Sequence, residues 1–310
     1  MSDFLRATYE VARKEVLQHI RTKRLLIIAG IMLFLLVMVT LVFGPQVTKD
    51  ANVGGGTGNS DHPFTNALEN MVLTVYFGVS LVGGLQFTQL LAIVLTGDAV
   101  CSEWSNRTIF LLLSKPVSRV AFVTGKLLGN LTTVFVTIGG LFILDYGLMQ
   151  FFYAGSPDGA EVAGFFLMLV FILLGCAAFA SISLFFSTIT KSTLMSFLYT
   201  LGVWLIGFPI LGSIGVFTSL RDAARDGTVQ NFYDLPQVQA WLYLNPVADM
   251  QAGLRALLPH DTGDTAQFLR LLNFFNGAPN DSGLAALMLV VYTLIFYGLS
   301  VLVVKRRNFE

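Results

Sequence analysis

The sequence TGKLLG, which contains Gly125 and Lys126, is the nearest approach in this chain to a phosphate-binding loop. Such a loop needs G-x-x-x-x-G-K-[ST] after a strand, because backbone amides and the lysine must surround the anion. Here Val120 stands at the first glycine position and Leu127 follows the lysine. The glycine-rich stretch 54–60 has no lysine. The sequence therefore predicts that this chain hydrolyses no ATP and is not an enzyme of that kind.

Residues that could bind metals or form disulfides are sparse. The chain has two cysteines, Cys101 and Cys176, without Cys-x-x-Cys or Cys/His spacing, so we expect no disulfide framework. His62 and His260 each stand beside an aspartate. Imidazole and carboxylate can bind transition metals, but two histidines in separate loops make a weak case. We expect no metal site in this chain.

The composition indicates an integral membrane protein. Of 310 residues, 55% are hydrophobic and 12% are charged, whereas ordinary soluble domains carry roughly 25% charged residues. A soluble domain of this size would need more charge to cover its surface. Because the formal net charge is zero, the composition indicates neither a nucleic-acid partner nor an acidic substrate.

Six apolar stretches are long enough to cross a bilayer, which takes about 20 helical residues. These stretches are 25–43, 72–96, 121–148, 163–187, 193–217 and 284–304. With the N-terminus inside, the inner segments carry 14 of the 19 basic residues, in agreement with the positive-inside rule. We therefore expect an all-α polytopic protein of the cytoplasmic (inner) cell membrane, with six transmembrane helices and both termini cytoplasmic.

The first 24 residues predict an amphipathic helix that precedes the spans. Its apolar stripe recurs at spacings of three and four residues, with basic residues elsewhere on the helix. The stripe consists of Leu5, Tyr9, Ala12, Val16 and Ile20. Such a helix lies in the cytoplasmic interface of the membrane, or alternatively packs on a partner. The chain thus divides into an interfacial helix, 1–24, and a transmembrane domain, 25–310.

Several polar side chains fall within the second and third spans. They are Gln86, Gln89, Asn130, Thr133 and Thr137. Such residues either line a transport pathway or form hydrogen bonds between helices, and the sequence leaves both interpretations open. Gly125 and Gly129 form a small-xxx-small pair that permits close approach of another helix, within the chain or in a second copy.

The outer segment 218–283 is unusually long for a loop, and loops of this length tend to carry function or structure of their own. It contains helical patterns at 245–258 and 264–275. We interpret 236–275 as an outer lid, with a passive loop that rests on the membrane as the alternative. Asp145, near the outer end of the third span, is expected to be a wetted carboxylate because a carboxylate at mid-membrane is costly.

The inner loop 97–120 predicts a short helix that is ended by proline. Pro116 disfavours helical geometry in the preceding residue and lacks an amide donor, so a helix over 103–113 should stop before it. Glu103 and Arg107 are four residues apart, in the order that favours a helical ion pair. A surface helix of this kind fits a groove on another protein; alternatively, the loop merely caps two spans.

The inner loop resembles that of type-2 ATP-binding-cassette (ABC) transporter permeases. The matching positions are Glu103, Arg107, Thr108, Leu112, Leu113, Ser114, Lys115, Pro116, Val117, Ser118, Arg119, Gly125 and Lys126. This sequence-specific part covers about 30 residues. The interfacial helix, six spans, long outer segment and basic C-terminal tail match the family in outline only.

The resemblance implies that the chain is the permease subunit of an ABC-type exporter. In that family, two permeases, as two copies or a copy and a homologue, assemble with two P-loop ATPase subunits that bind ATP and Mg²⁺. The inner loop docks on the ATPase. The residues implied in this coupling are Glu103, Arg107, Thr108, Leu112, Leu113, Lys115, Pro116 and Arg119.

Two other functions stay open. An ATP-independent secondary transporter or channel would require charged residues deep in the spans for ion coupling. A membrane scaffold could instead pass ATPase-driven motion to an extracytoplasmic protein, and the same inner loop would serve it. The transported substrate does not follow from the fold.

Overall fold

The structure, a computed structural model, describes part of the chain in detail. The described residues are 3–53, 87–105, 118–151, 159–208, 210, 236–255 and 281–306. Over these ranges the chain is helical and contains no strand. The predicted all-α class is confirmed for this part of the chain.

The described residues form ten α-helices, numbered in chain order, and α7 continues into a short π-helical segment, Val203–Gly207. The helices are α1 Asp3–Arg21, α2 Lys23–Val53, α3 Phe87–Thr96, α4 Cys101–Ser105, α5 Arg119–Met149, α6 Gly159–Ile189, α7 Thr193–Gly202, α8 Pro236–Leu242, α9 Pro246–Arg255 and α10 Ser282–Arg306.

Three of the described helices are long and apolar enough to cross a membrane, namely Arg119–Leu148, Val162–Ile189 and Ser282–Arg306. Shorter apolar helices cover Leu25–Met38 and Thr193–Gly207. These five segments overlap the predicted first, third, fourth, fifth and sixth spans. Of the predicted second span, only its last part, α3, lies within the described residues.

The core is built around α6, which packs against α3, α5, α7, α9 and α10. Small side chains on α6 are fully buried and let neighbouring helices approach closely; examples are Ala178, Ala180 and Ser183. Around them, bulky residues such as Phe142 of α5 and Phe165 of α6 fill one large apolar cluster. This packing fixes the positions of α3 and α5, on which the site depends.

The helices α8 and α9 form a short helical pair, 236–255, joined by a turn. Asn245 caps α9 by accepting a hydrogen bond from the Val247 amide at 3.0 Å, and Pro246 occupies the first helical position, where no amide donor is needed. The helix predicted within 245–258 is therefore confirmed as α9. The second predicted helix, 264–275, lies outside the described residues.

The prediction of a wetted Asp145 is wrong, because its side chain is completely buried. This end of α5 packs on α6, where Tyr146 and Phe165 stack with ring centroids 4.4 Å apart. Counting residues from Lys126 gave the position of Asp145 along the span but not the face on which it lies.

Candidate functional site

The helix α1 lies directly on the start of α5 because two glycines leave room for it. A Cβ atom at Gly125 would lie 2.6 Å from the Val11 Cβ, and one at Gly129 would lie 2.7 Å from the Ala12 carbonyl oxygen. Both distances are too short for any side chain. The predicted close approach at this glycine pair is confirmed within the chain, with α1 as the partner helix.

Four charged side chains, Lys14, Glu15, Glu103 and Lys126, meet where α1, α4 and α5 converge. We call this group the ion cluster. The Lys126 Nζ donates to the Glu15 carboxylate and, at 2.6 Å, to Glu103 Oε1. The Lys14 Nζ donates to the same Glu103 oxygen at 2.9 Å. The ion cluster thus joins three chain segments through two positive and two negative charges.

The ion cluster is largely removed from solvent. The Lys126 side chain is 2% exposed and that of Lys14 is 48% exposed, while both carboxylates are buried. Taking charges out of water is costly, and attraction offsets that cost only with close geometry and balanced charge. The main effect of the ion cluster is therefore to specify one relative position of α1, α4 and α5. Its net contribution to the free energy of folding is smaller.

Backbone contacts place Glu103 at this point. The Ser187 Oγ on α6 accepts hydrogen bonds from the amides of Val100 and Cys101, at 3.0 Å and 3.1 Å. These bonds anchor the turn before α4 to the core, so the first turn of α4 is held rigidly. Glu103 then points between α1 and α5 rather than along its own helix.

A second polar contact lies one helical turn further along α1 and α5. The His19 Nε2 and the Asn130 Oδ1 are 2.6 Å apart, and both side chains are buried. Beside this contact lies a polar cavity of about 30 Å³, lined in part by Glu15, Asp98 and Ser102. Its size and lining suit one or two water molecules. The interface between α1 and α5 therefore combines these polar contacts with apolar packing of Val11 on Phe122 and Val123.

The face of α1 that packs on the rest of the protein is not the apolar stripe that the sequence predicted. Thr8, Glu15 and His19 are buried, whereas Leu5 and Ile20 of the predicted apolar stripe are more than half exposed. The exposed stripe agrees with a helix whose apolar side faces lipid. The signal available in the sequence was the glycine pair on α5, which required a neighbouring helix.

The predicted coupling residues are only partly described. Six of them, Arg107, Thr108, Leu112, Leu113, Lys115 and Pro116, lie outside the described residues. Glu103 contacts Lys14 and Lys126, and the predicted Glu103–Arg107 pair also lies outside the described residues. The described part of the loop helix begins at Cys101 rather than at the predicted position 103. Glu103 is buried and is therefore not an exposed side chain of the loop.

Arg119 lies where α5 begins and contacts the end of α10. Its Nη1 donates to the Lys305 carbonyl oxygen at 3.0 Å, and Ser118 caps α5 by accepting from the Ala121 amide at 3.1 Å. The loop therefore returns into the bundle at a helix start that is fixed from two sides.

The predicted pathway residues that the structure describes make hydrogen bonds within the protein. Gln86 lies outside the described residues. Gln89 accepts from the Trp204 Nε1 at 2.7 Å, and Asn130 contacts α1. The hydroxyls of Thr133 and Thr137 donate to carbonyls of their own helix. These contacts match the helix-packing alternative for Gln89 and Asn130.

A second polar group of residues surrounds Gln89 and includes α9. The Gln89 Nε2 donates to the Met250 Sδ at 3.5 Å. The π-helical segment Val203–Gly207 carries Trp204, whose side chain is buried against Gln89. Such segments are frequent at functional sites. Asp249, beside Met250 and outside the three spanning helices, is 0% exposed, and burial raises the pKa of its carboxyl to about 9.

Within the described residues, no group of three or more His, Cys, Asp or Glu side chains could hold a metal ion.

No curated protein matches the chain significantly. The family model described as "ABC-2 family transporter protein" matches residues 9–309, which is nearly the whole chain. The chain therefore belongs to the ABC-2 family of transporter proteins and is a membrane-embedded permease of that family.

Proposed function

We propose that the chain is the membrane subunit of an ATP-driven exporter whose energy comes from a separate P-loop ATPase. The proposal includes six transmembrane helices with both termini in the cytoplasm, and residues 97–120 as the segment that docks on the ATPase. Two permease chains and two ATPase subunits would form the transporter in the cytoplasmic membrane.

The observation that carries this proposal is the ion cluster. The proposed docking segment 97–120 contains α4 and ends at the start of α5. Glu103 on α4 contacts Lys126 on α5 and Lys14 on α1. Force applied to the docking segment would therefore reach the third span and the interfacial helix through short charge-assisted bonds, which are stronger than neutral ones. A loop that merely capped two spans would not need a buried carboxylate that binds lysines of two other helices.

A docking experiment tests the proposal. Lys115→Glu or Arg119→Glu should reduce co-purification of the co-expressed partner ATPase at least tenfold, because each reverses a charge at the proposed interface. Arg306→Glu is the matched control, since Arg306 is an exposed base at the end of α10. Equal recovery of the ATPase with all three variants would contradict the docking assignment.

Glu103→Gln tests the coupling between the loop and the third span rather than docking, because Glu103 is buried. We expect ATPase binding to persist but ATP hydrolysis to lose its response to the permease, since the contact between loop and third span is weakened. Loss of binding in Glu103→Gln with normal binding in Lys115→Glu would reverse the assigned roles. A scaffold that acts on an extracytoplasmic protein would give the same docking results but no ATP-dependent transport in vesicles.

A further inference from the structure

The α8–α9 pair is docked into the bundle through α9. A Cβ atom at Gly175 of α6 would lie 2.7 Å from the Met250 Sδ, so a larger residue there would displace the methionine side chain. Val247 belongs to an apolar cluster with residues of α3, α6 and α7. On the other side, the Tyr292 Oη of α10 donates to the Leu244 carbonyl oxygen at 2.7 Å. Asp249 lies between these contacts.

The Asp249 carboxyl is completely buried. Within the described residues, neither of its oxygens has a hydrogen-bond partner. Such burial strongly disfavours the ionised form. The position of Asp249 in the first turn of α9 favours the anion through the helix dipole, but this effect is weaker than the opposing effect of burial.

Within the part of the chain that the structure describes, the elements packed on α9 place no positive charge beside the carboxylate. Between Val162 and Ile189, α6 contains no Asp, Glu, Lys, Arg or His, and its one titratable group is Cys176. On α10 the titratable group near Asp249 is Tyr292, and the turn before α9 contributes Tyr243. All three groups are neutral at ordinary pH. The proton is therefore the ligand that fits this carboxyl in the docked state.

We propose that Asp249 is a proton-binding site that keeps the α8–α9 pair docked when it is protonated and favours release of the pair when it ionises. Residues 236–255 then form a proton-controlled element, which goes beyond the outer lid predicted for 236–275. It is independent of ATPase docking, because no residue of the ion cluster takes part.

The sign of the pH dependence follows from linkage. The pKa of Asp249 is raised in the docked state, from 3.8 to about 9, whereas a released, hydrated carboxyl returns to about 3.9. Docking is therefore strongest below the lower value and weakens as the pH rises towards the upper one. Between these limits the equilibrium shifts towards release by up to about tenfold per pH unit.

Thiol labelling of the full-length chain in lipid nanodiscs tests the proposal. The two native cysteines, Cys101 and Cys176, are buried, so an introduced thiol is the main reactive group. Ala252→Cys reports release because Ala252 is buried, and Ala240→Cys is the control because Ala240 is exposed. The ratio of the two labelling rates cancels the pH dependence of the reagent. Ala248→Cys, also at a buried position, is a second reporter.

We expect the ratio to rise by about 10- to 100-fold from pH 6 to pH 8, if redocking is faster than labelling. Asp249→Asn should abolish this slope and keep the reporter protected. A flat ratio in the chain with native Asp249 would overturn the proposal even if Asp249→Asn failed to fold, and so would an unchanged slope in Asp249→Asn.

A cationic ligand is the competing occupant and is tested in the same assay. A methylammonium salt added at pH 8 should leave the ratio unchanged. If methylammonium protects the reporter while pH does not, the carboxyl binds a cation instead, and the proton proposal is refuted. Neither result affects the proposed ATPase coupling, since the labelling is done without an ATPase.

Discussion

Lys126→Met tests the central statement about the ion cluster, that one buried lysine holds α1 and α4 against α5. Methionine is similar in length and apolar, so it keeps the volume of the side chain but removes its charge. Glu15 then loses the partner seen here, and Glu103 keeps Lys14, whose side chain is 48% exposed. The substitution leaves excess negative charge in a buried place.

The magnitude follows from the distances. At 2.6 Å and an effective dielectric constant of about 20, one ion pair gains roughly 6 kcal/mol of attraction. Desolvation of the lysine offsets several kcal/mol of this. Breaking a buried pair by removing one partner costs about 3–5 kcal/mol. For a chain of this size we expect the melting temperature to fall on the order of 10 °C.

The assay uses the two buried cysteines, since a thiol-reactive dye reports their exposure as the protein unfolds. Lys14→Met is the matched control: it removes an exposed partner of Glu103, and exposed pairs contribute about 0–1 kcal/mol. Lys126→Met combined with Glu15→Gln should recover part of the loss, because one uncompensated carboxylate is removed. Equal melting of Lys126→Met and Lys14→Met would refute the assignment of Lys126 as the central residue.

Two further predictions concern helix contacts. Gly129→Ala should displace α1, because its Cβ would lie 2.7 Å from a backbone oxygen, whereas Gly140→Ala meets open space and should be neutral or stabilising by up to about 1 kcal/mol. Thermal melting and protease cleavage of α1 distinguish them, and equal behaviour would contradict the close packing. Trp204→Phe should cost about 1–3 kcal/mol because it leaves buried Gln89 without this donor. Adding Gln89→Leu should restore most of the melting temperature, and a further drop would argue against the Trp204–Gln89 bond as the cause.

The sequence predicted the helical class, the amphipathic α1, the glycine contact and α9 because each rests on a local pattern. Periodicity and residue type along a few turns are sufficient for such features. Local patterns could not predict the ion cluster, because Glu15 and Lys126 are 111 residues apart. Their pairing depends on how α1 lies across α5. Glu103 likewise contacts Lys14 and Lys126, which are 89 and 23 residues away in the chain.

The burial of Asp249 could not be predicted from the local sequence either. Its helix could be recognised from Pro246 and the apolar spacing, but its burial depends on Gly175 and Tyr292, which belong to two other helices. A carboxylate in a predicted outer segment is ordinarily hydrated, so nothing local marked it. Whether a charge is buried is a property of the packing around it.

The two polar groups differ in the strength of the contacts that hold them. The ion cluster uses charge-assisted bonds of 2.6 Å and 2.9 Å with charges of both signs. The α8–α9 pair is instead held by apolar packing and by neutral hydrogen bonds from Tyr292 and Gln89. Within the described residues, its Asp249 carboxyl has no hydrogen-bond partner. Elements that move are drawn from the less stable parts of a fold. The junction of α1, α4 and α5 is therefore suited to transmit force without yielding, whereas the α8–α9 pair is suited to open.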